Sequence, residues 1–320
     1  MTALQETIYP ITIPTPFAVG SVQAYLLKGD YLSLVDAGVQ TAEAWQAVNE
    51  QLKRIGYKES DIEQIILTHH HPDHTGLVER FSGVKHIVAH KHVDKWLQKE
   101  EAFIQNYERF FLDFYKQNGV PEVFLQQLTS LRSLLQYGGE GRVTNYISEG
   151  DSLPGHTDWQ VIETKGHAQT HVSFFDPSMQ ILIAGDHLLE HVSSNPLLEP
   201  AYEGQKQRAK PLLQYRKNME KLLPYTINWV LPGHGQPFQG IHKLINTRLH
   251  QQEERAQKVL GMLQEAPKTA FQICELLFPV HVQTQLHLTM SETIGQLDFL
   301  EEIGKVAWQK DNGVYHYYAT

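Results

Sequence analysis

The stretch Thr68-His69-His70-His71-Pro72-Asp73-His74-Thr75-Gly76 decides how the rest of the chain is read. It follows Ile65-Ile66-Leu67, a short apolar run with the character of a buried strand, so the cluster hangs from a strand end. His69 and His71 stand two apart and, on an extended backbone, project to the same side. Asp73 and His74 add a carboxylate and an imidazole to the same loop. One catalytic zinc needs fewer ligands than this from a single loop. The excess predicts two metals. His70 should point away from its neighbours and serve structure.

Three more candidate ligands lie further along, each behind a strand-like run. His167 follows Gly166 after Trp159–Thr164, Asp186 ends Gln180–Gly185, and His234 sits in Pro232-Gly233-His234-Gly235 after Trp229-Val230-Leu231. Strand ends in layered α/β domains gather functional loops at one edge. Alone, a Gly-Asp after a strand is more often a turn than a ligand. In this order, behind the first cluster, the three reinforce one another.

Composition agrees with nitrogen and oxygen chemistry. The chain has 320 residues, one cysteine and eighteen histidines, more than its fourteen tyrosines or thirteen phenylalanines. A lone Cys274 excludes an intrachain disulfide, a cysteine-built zinc finger and an iron–sulfur cluster. The start, Met1 to Glu6, has no basic segment leading into an apolar one, and no window offers eighteen uninterrupted apolar residues. A cytoplasmic protein without a membrane span is therefore expected. The formal net charge of -9 disfavours nucleic acid as a partner, though weakly for enzymes that hold a phosphodiester through a metal.

Strand-like and helical runs alternate at first. Ile8–Ile13, Val22–Leu27 and Tyr31–Asp36 read as strands, Thr41–Ile55 as a helix, Gly76–Phe81 as a helix and His86–Ala89 as a strand. Between Val93 and Tyr137 two amphipathic helices are expected, separated by Asn118-Gly119-Val120-Pro121. Their stripe (Phe103, Tyr107, Phe110, Phe111, Phe114 and Tyr115, then Phe124, Leu128, Leu131 and Leu135) is either core packing or the inner face of a lid. Strands return from Tyr146, with a helix at Leu212–Leu223. Past Gly240 come a long charged helix at Leu244–Leu263, shorter ones at Thr269–Phe278 and Ser291–Ile303, and a hairpin through Val306–Trp308 and Val314–Tyr318.

These motifs resemble the metallo-β-lactamase superfamily of hydrolases. The match is carried by Asp36 in Val35-Asp36-Ala37-Gly38, the His69-x-His71-x-Asp73-His74 cluster, His167, Asp186 and His234, over roughly residues 8 to 240. The resemblance implies an α/β fold, an αβ/βα sandwich of two face-to-face sheets with helices outside. Here it carries a helical insertion at about 93–140. It assigns residues 1–240 to the catalytic domain. Residues 241–320, a long helix and a winged-helix-like tail, point to the β-lactamase-like subgroup with a C-terminal winged helix. It also implies two metals, zinc by preference with iron or manganese as alternatives. His69, His71 and His167 would hold the first, and Asp73, His74 and His234 the second. Asp186 would bridge both, Asp36 would support the cluster, and Asp73 would orient the nucleophile or relay its proton. His71 stands where diiron oxygen-reducing members carry glutamate, which favours zinc and hydrolysis.

The expected activity is a zinc-dependent hydrolase using a metal-bridging hydroxide, acting on a thioester, ester or lactone of a small organic acid. The alternatives are a metal-dependent endoribonuclease and an iron-dependent persulfide dioxygenase. The tail carries seven basic and nine acidic residues with no basic face, so packing or a homodimer contact suits it better than nucleic acid. Of the histidines left over, His171 is placed to support the site. His187 and His191 follow Asp186 closely enough to be offered as substrate contacts.

Overall fold

The computed structural model describes residues 7–126 and 131–320; the leader reading of Met1 to Glu6 and the stripe position Leu128 lie outside the described residues. The first sheet holds β1 (Ile8–Ile13), β2 (Val22–Lys28), β3 (Leu32–Val35), β4 (Gln64–Ile66), β5 (His86–Ala89) and β6 (Asn145–Tyr146), in that spatial order. β1, β2 and β3 pair antiparallel, and from β3 to β6 the pairs are parallel. The second sheet holds β7 (Ser152–Leu153), β8 (His156–Glu163), β9 (Val172–Asp176), β10 (Ile181–Gly185) and β11 (Trp229–Pro232), antiparallel except for the parallel β10–β11 pair.

The sheets pack face to face because both present apolar inner faces. Tyr25, Val35, Ile66 and Val88 of the first sheet meet Val161, Phe174, Ile183 and Leu231 of the second in one buried core. Outside the first sheet lies α1 (Ala42–Arg54), whose N-cap Thr41 accepts the Ala44 N–H and whose Ala44, Val48 and Leu52 face the sheet. Outside the second lie α7 (Pro211–Leu222) and the start of α8 (Ile241–Glu265), burying Tyr215, Met219 and Ile245 against Leu182 and Val230. An αβ/βα sandwich results, as the resemblance implies.

In the connections from β4 to β6 the chain makes α2 (Pro72–Thr75), α3 (Val93–Leu97), α4 (Glu101–Gln117), α5 (Glu122–Gln126) and α6 (Leu131–Leu135). The helix expected at Gly76–Phe81 is only a short turn, Val78–Arg80. The Gly76 and Leu77 amides donate to Gly38 and Ala37 instead of continuing the α2 ladder. A Cβ on residue 76 would collide with the backbone of Val39 and Gln40. The insertion also divides more finely than the two helices expected. Lys99 takes φ 47° between α3 and α4, and Gly119 takes φ 83° after α4.

The tail adds α9 (Ala270–Leu277), α10 (Leu286–Glu302) and the antiparallel hairpin β12 (Val306–Asp311) and β13 (Val314–Ala319). The last long helix begins earlier than the Ser291 read from sequence. Insertion and tail share one core. Tyr107, Phe111 and Tyr115 are buried with Phe271, Met290, Ile294 and Leu297, so the aromatic stripe is packing rather than the inner face of a lid. Each such side chain contributes roughly 1.5–3 kcal/mol on burial.

Ion pairs tie the tail to the sandwich. Both nitrogens of the Arg208 fork reach Asp298 at 2.7 Å, Lys210 meets Glu301, and Arg216 meets Glu253 while lying 4.6 Å from the Phe299 ring centre. Among the described residues no helix is long and apolar enough to cross a membrane.

Candidate metal centre

Every ligand predicted from the sequence arrives at the same edge of the sandwich. His69 and His71 leave β4 on extended backbone, Pro72 opens α2, and this turn carries Asp73 and His74 inward. His167 comes from the loop after β8, Asp186 follows β10, and His234 follows β11. Ligand atoms of His69, His71 and His167 lie within 4.8 Å of one another, as do those of His69, His74 and Asp186, and those of Asp73, His74 and His234.

The outer nitrogens of the imidazoles show what faces inward. The Thr68 hydroxyl donates its one hydrogen to Asp36 Oδ2, so the 2.9 Å contact with His69 must be an Nδ1–H donation from the ring. His74 Nδ1 reaches Asp36 Oδ2 at 2.7 Å, His167 Nδ1 the Asn195 carbonyl at 3.0 Å, and His234 Nδ1 the Ser21 carbonyl at 2.9 Å. A carbonyl and an ionised carboxylate only accept, so each ring donates outward. Once each ring is neutral, as metal binding requires, its remaining lone pair lies on Nε2, and all four Nε2 atoms turn inward. His69 Nε2 and His167 Nε2 both lie 2.9 Å from His71 Nδ1. His74 Nε2 and Asp186 Oδ1, 3.4 Å apart, are both buried without a hydrogen-bond partner. Buried carboxylates and ring nitrogens that converge in this way suit cations, and the residues present fit bound metal.

Asp186 joins the two ends of the cluster. Its Oδ2 lies 3.5 Å from both His167 Nε2 and His234 Nε2, and its Oδ1 faces His74. Electrostatics divide the rings accordingly. Burial and neighbouring imidazoles hold His69 and His71 well below the ordinary imidazole range. Burial opposes charge on His234 too, but Asp186 and Asp73 outweigh it and push that ring up to about 10. The carboxylate side of the cluster thus carries negative charge that wants neutralising. A Cβ on residue 233 would collide with Asp186 Oδ1, so only glycine lets the loop after β11 pass beneath the site.

Asp36 has the supporting position implied by the resemblance. It takes φ 61° and accepts three donors on two oxygens: Thr68 N–H, Thr68 O–H and His74 Nδ1–H. Asparagine tolerates the same backbone but must turn an NH2 toward one of those donors. Asp36→Asn is expected to weaken metal affinity by about 10–100-fold, measured by chelator competition.

His171 also supports the site: its Nε2 accepts the Asp186 amide at 3.0 Å, and its Nδ1 meets the Thr164 hydroxyl at 2.8 Å. His70 lies flat on Trp96 at 3.9 Å between ring centres, outside the metal groups. The substrate role offered for His187 fails, since its ring is buried away from solvent against Tyr215. His191 is exposed and paired with Glu190. Sequence reasoning missed the Ser21 and Asn195 carbonyls, because a backbone acceptor leaves no mark on residue type. It also missed Thr68, which its place beside the cluster could have suggested.

Known proteins agree with this geometry. Residues 18–234 match the family model described as the metallo-beta-lactamase superfamily. The chain is 40% identical over 311 residues to the probable metallo-hydrolase YqjP of Bacillus subtilis (strain 168), covering 97% of each chain. It is 24% identical to a Drosophila melanogaster beta-lactamase-like protein 2 homolog, over 96% of this chain and 92% of that protein. The crystal structure of the metallo-beta-lactamase family protein TTHA1429 from Thermus thermophilus superposes with a TM-score of 0.82 at 28% identity, covering 98% of this chain and 99% of that one. With the sandwich and the converging histidines and aspartates in place, the chain belongs to the metallo-β-lactamase superfamily of metal-dependent hydrolases.

Proposed function

We propose that the chain is a zinc-dependent hydrolase of the two-metal type, cleaving a thioester, ester or lactone of a small organic acid. The observation that carries this reading is the set of four imidazoles held from outside so that their Nε2 atoms turn inward with Asp73 and Asp186. His69, His71 and His167 would hold one cation, Asp73, His74 and His234 the other, and Asp186 both. Imidazole and carboxylate ligands without thiolate suit zinc, with iron or manganese as alternatives. When bound, such cations supply Lewis acidity: a nucleophile available at neutral pH and a polarised acyl oxygen.

The chain's own residues hold and move the proton. Asp73 Oδ2 lies 3.3 Å from His234 Nε2, and its side chain keeps 12% exposure where His74 has none. From this position Asp73 takes the proton of the attacking water and returns it to the leaving sulfur or oxygen. Asp36 and His171 hold His74 and Asp186 still while this happens.

A small substrate is supported by charge. Net charge is -9, and Arg208, Lys210, Arg216 and Arg255 are all engaged by carboxylates, which leaves those cations unavailable to a phosphodiester strand. In this reading residues 1–240 carry the chemistry and 241–320 brace the insertion. The test is elemental analysis followed by assays of acyl thioesters, lactones and single-stranded RNA, with and without chelation. Two zinc per chain and chelator-sensitive turnover of a thioester or lactone are expected. Cleavage of RNA alone would overturn the substrate class, and one iron per chain with persulfide-dependent oxygen uptake would overturn the hydrolase.

A further inference from the structure

Glu199 is 3% exposed, and among the described residues no ion pair reaches it. Its two oxygens are nevertheless both taken. Oε1 accepts the Gln169 backbone N–H and Oε2 accepts the Tyr202 hydroxyl, each at 2.6 Å. That hydroxyl in turn accepts the Trp96 indole N–H at 3.0 Å. The Trp96 ring lies against His70, 15° from parallel, and His70 is bound to Thr170 Oγ1 through its backbone N–H at 3.2 Å and its Nδ1 at 2.9 Å. Thr170 follows Gln169, so the contacts close into a ring. It spans the loop of His69 and His71, the loop of His167, the insertion at Trp96 and the segment of Tyr202. Burial pushes the Glu199 carboxyl up to about 7, against the lowering influence of its two donors.

A buried carboxylate without a cation is costly unless its lone pairs are filled, and it tightens the charge-assisted bonds it accepts. We propose that Glu199 is a positioning residue for the metal centre, closing a ring that fixes the His69/His71 loop against the His167 loop. The ring touches the end of the cluster built from His69, His71 and His167. The opposite end is held separately, with His74 on Asp36 and His234 on the Ser21 carbonyl. Loss of Glu199 should therefore act on one half of the centre. This inference rests on the two-metal reading above.

Glu199→Gln preserves shape but offers an NH2 where Tyr202 needs an acceptor; Tyr202→Phe removes one link and is the milder change. Both variants and the wild type are stripped of metal, checked for a cooperative thermal transition and titrated with Co(II), following the visible d–d absorption. In both variants one of the two stepwise Co(II) constants should weaken about tenfold with an altered band shape, while the other holds within about twofold. Folded variants with unchanged constants and spectra would overturn the proposal, and so would equal weakening of both. If Glu199→Gln has no cooperative transition, Tyr202→Phe decides. A wild type that binds fewer than two Co(II) would instead defeat the two-metal reading.

Discussion

Asp186→Asn should lower kcat/KM by about three decades and release a large part of the bound metal. Asp186 approaches both ends of the cluster, with Oδ2 at 3.5 Å from His167 and His234 and Oδ1 at 3.4 Å from His74. Asparagine removes the negative charge and one acceptor, and its NH2 donates to the bare Nε2 of a neighbouring ring. That ring then spends its lone pair on the amide. Electrostatic stabilisation by metals is worth several kcal/mol, and each 1.36 kcal/mol is about tenfold in rate. Parallel kinetics and elemental analysis check both halves of this expectation. Activity within tenfold of wild type at full metal content would show that Asp186 does not join the two halves.

The second large effect concerns stability. Arg208 and Asp298 form a forked pair at 2.7 Å, and the Asp298 side chain is only 7% exposed. Arg208→Met leaves that carboxylate buried without its forked partner, with the Lys210 charge nearby. The cost should be about 3–5 kcal/mol, read as a lower urea midpoint and melting temperature. Burial already raises the Asp298 pKa against the opposing pull of Arg208, and without the arginine it rises further. An acid whose folded pKa lies above its unfolded one loses stability as pH rises through that interval. The deficit of Arg208→Met should therefore be smaller at pH 5 than at pH 8. Arg208→Met with Asp298→Leu removes the stranded charge and should recover most of the loss. Failure of the double variant to recover would place the damage in packing, where Arg208 lies 5.2 Å from the Phe114 ring centre.

The residues of the centre were legible because each sits at a strand end with a short apolar run before it. Strand period and punctuation are local signals, and the His69 to His74 cluster is local too. Everything beyond the ligands proved harder to read. The aromatic stripe at Tyr107, Phe111 and Tyr115 showed its helical spacing but not its partner, Phe271 and Met290, more than a hundred residues away. Glu199 looked like any loop acid, because its burial depends on Gln169 and Tyr202 folding over it. The segment read as a helix at Gly76–Phe81 is a short turn pinned at its first two amides by the Gly38 and Ala37 carbonyls, partners that no window around it contains.

His234 is anchored from outside by the Ser21 main-chain carbonyl, and His167 by the Asn195 carbonyl together with the Ser194 hydroxyl. Any amino acid supplies a carbonyl. Substitution at 21 or 195 therefore leaves the tautomer of the neighbouring histidine intact, provided the chain keeps its course. Descent can rewrite the side chain at 21 while preserving its service to the metals, whereas the Asn195 side chain also holds the Leu288 carbonyl. What is inherited there is a path through space, and point mutations would pass over it in silence; a one-residue deletion in either loop would expose it at once.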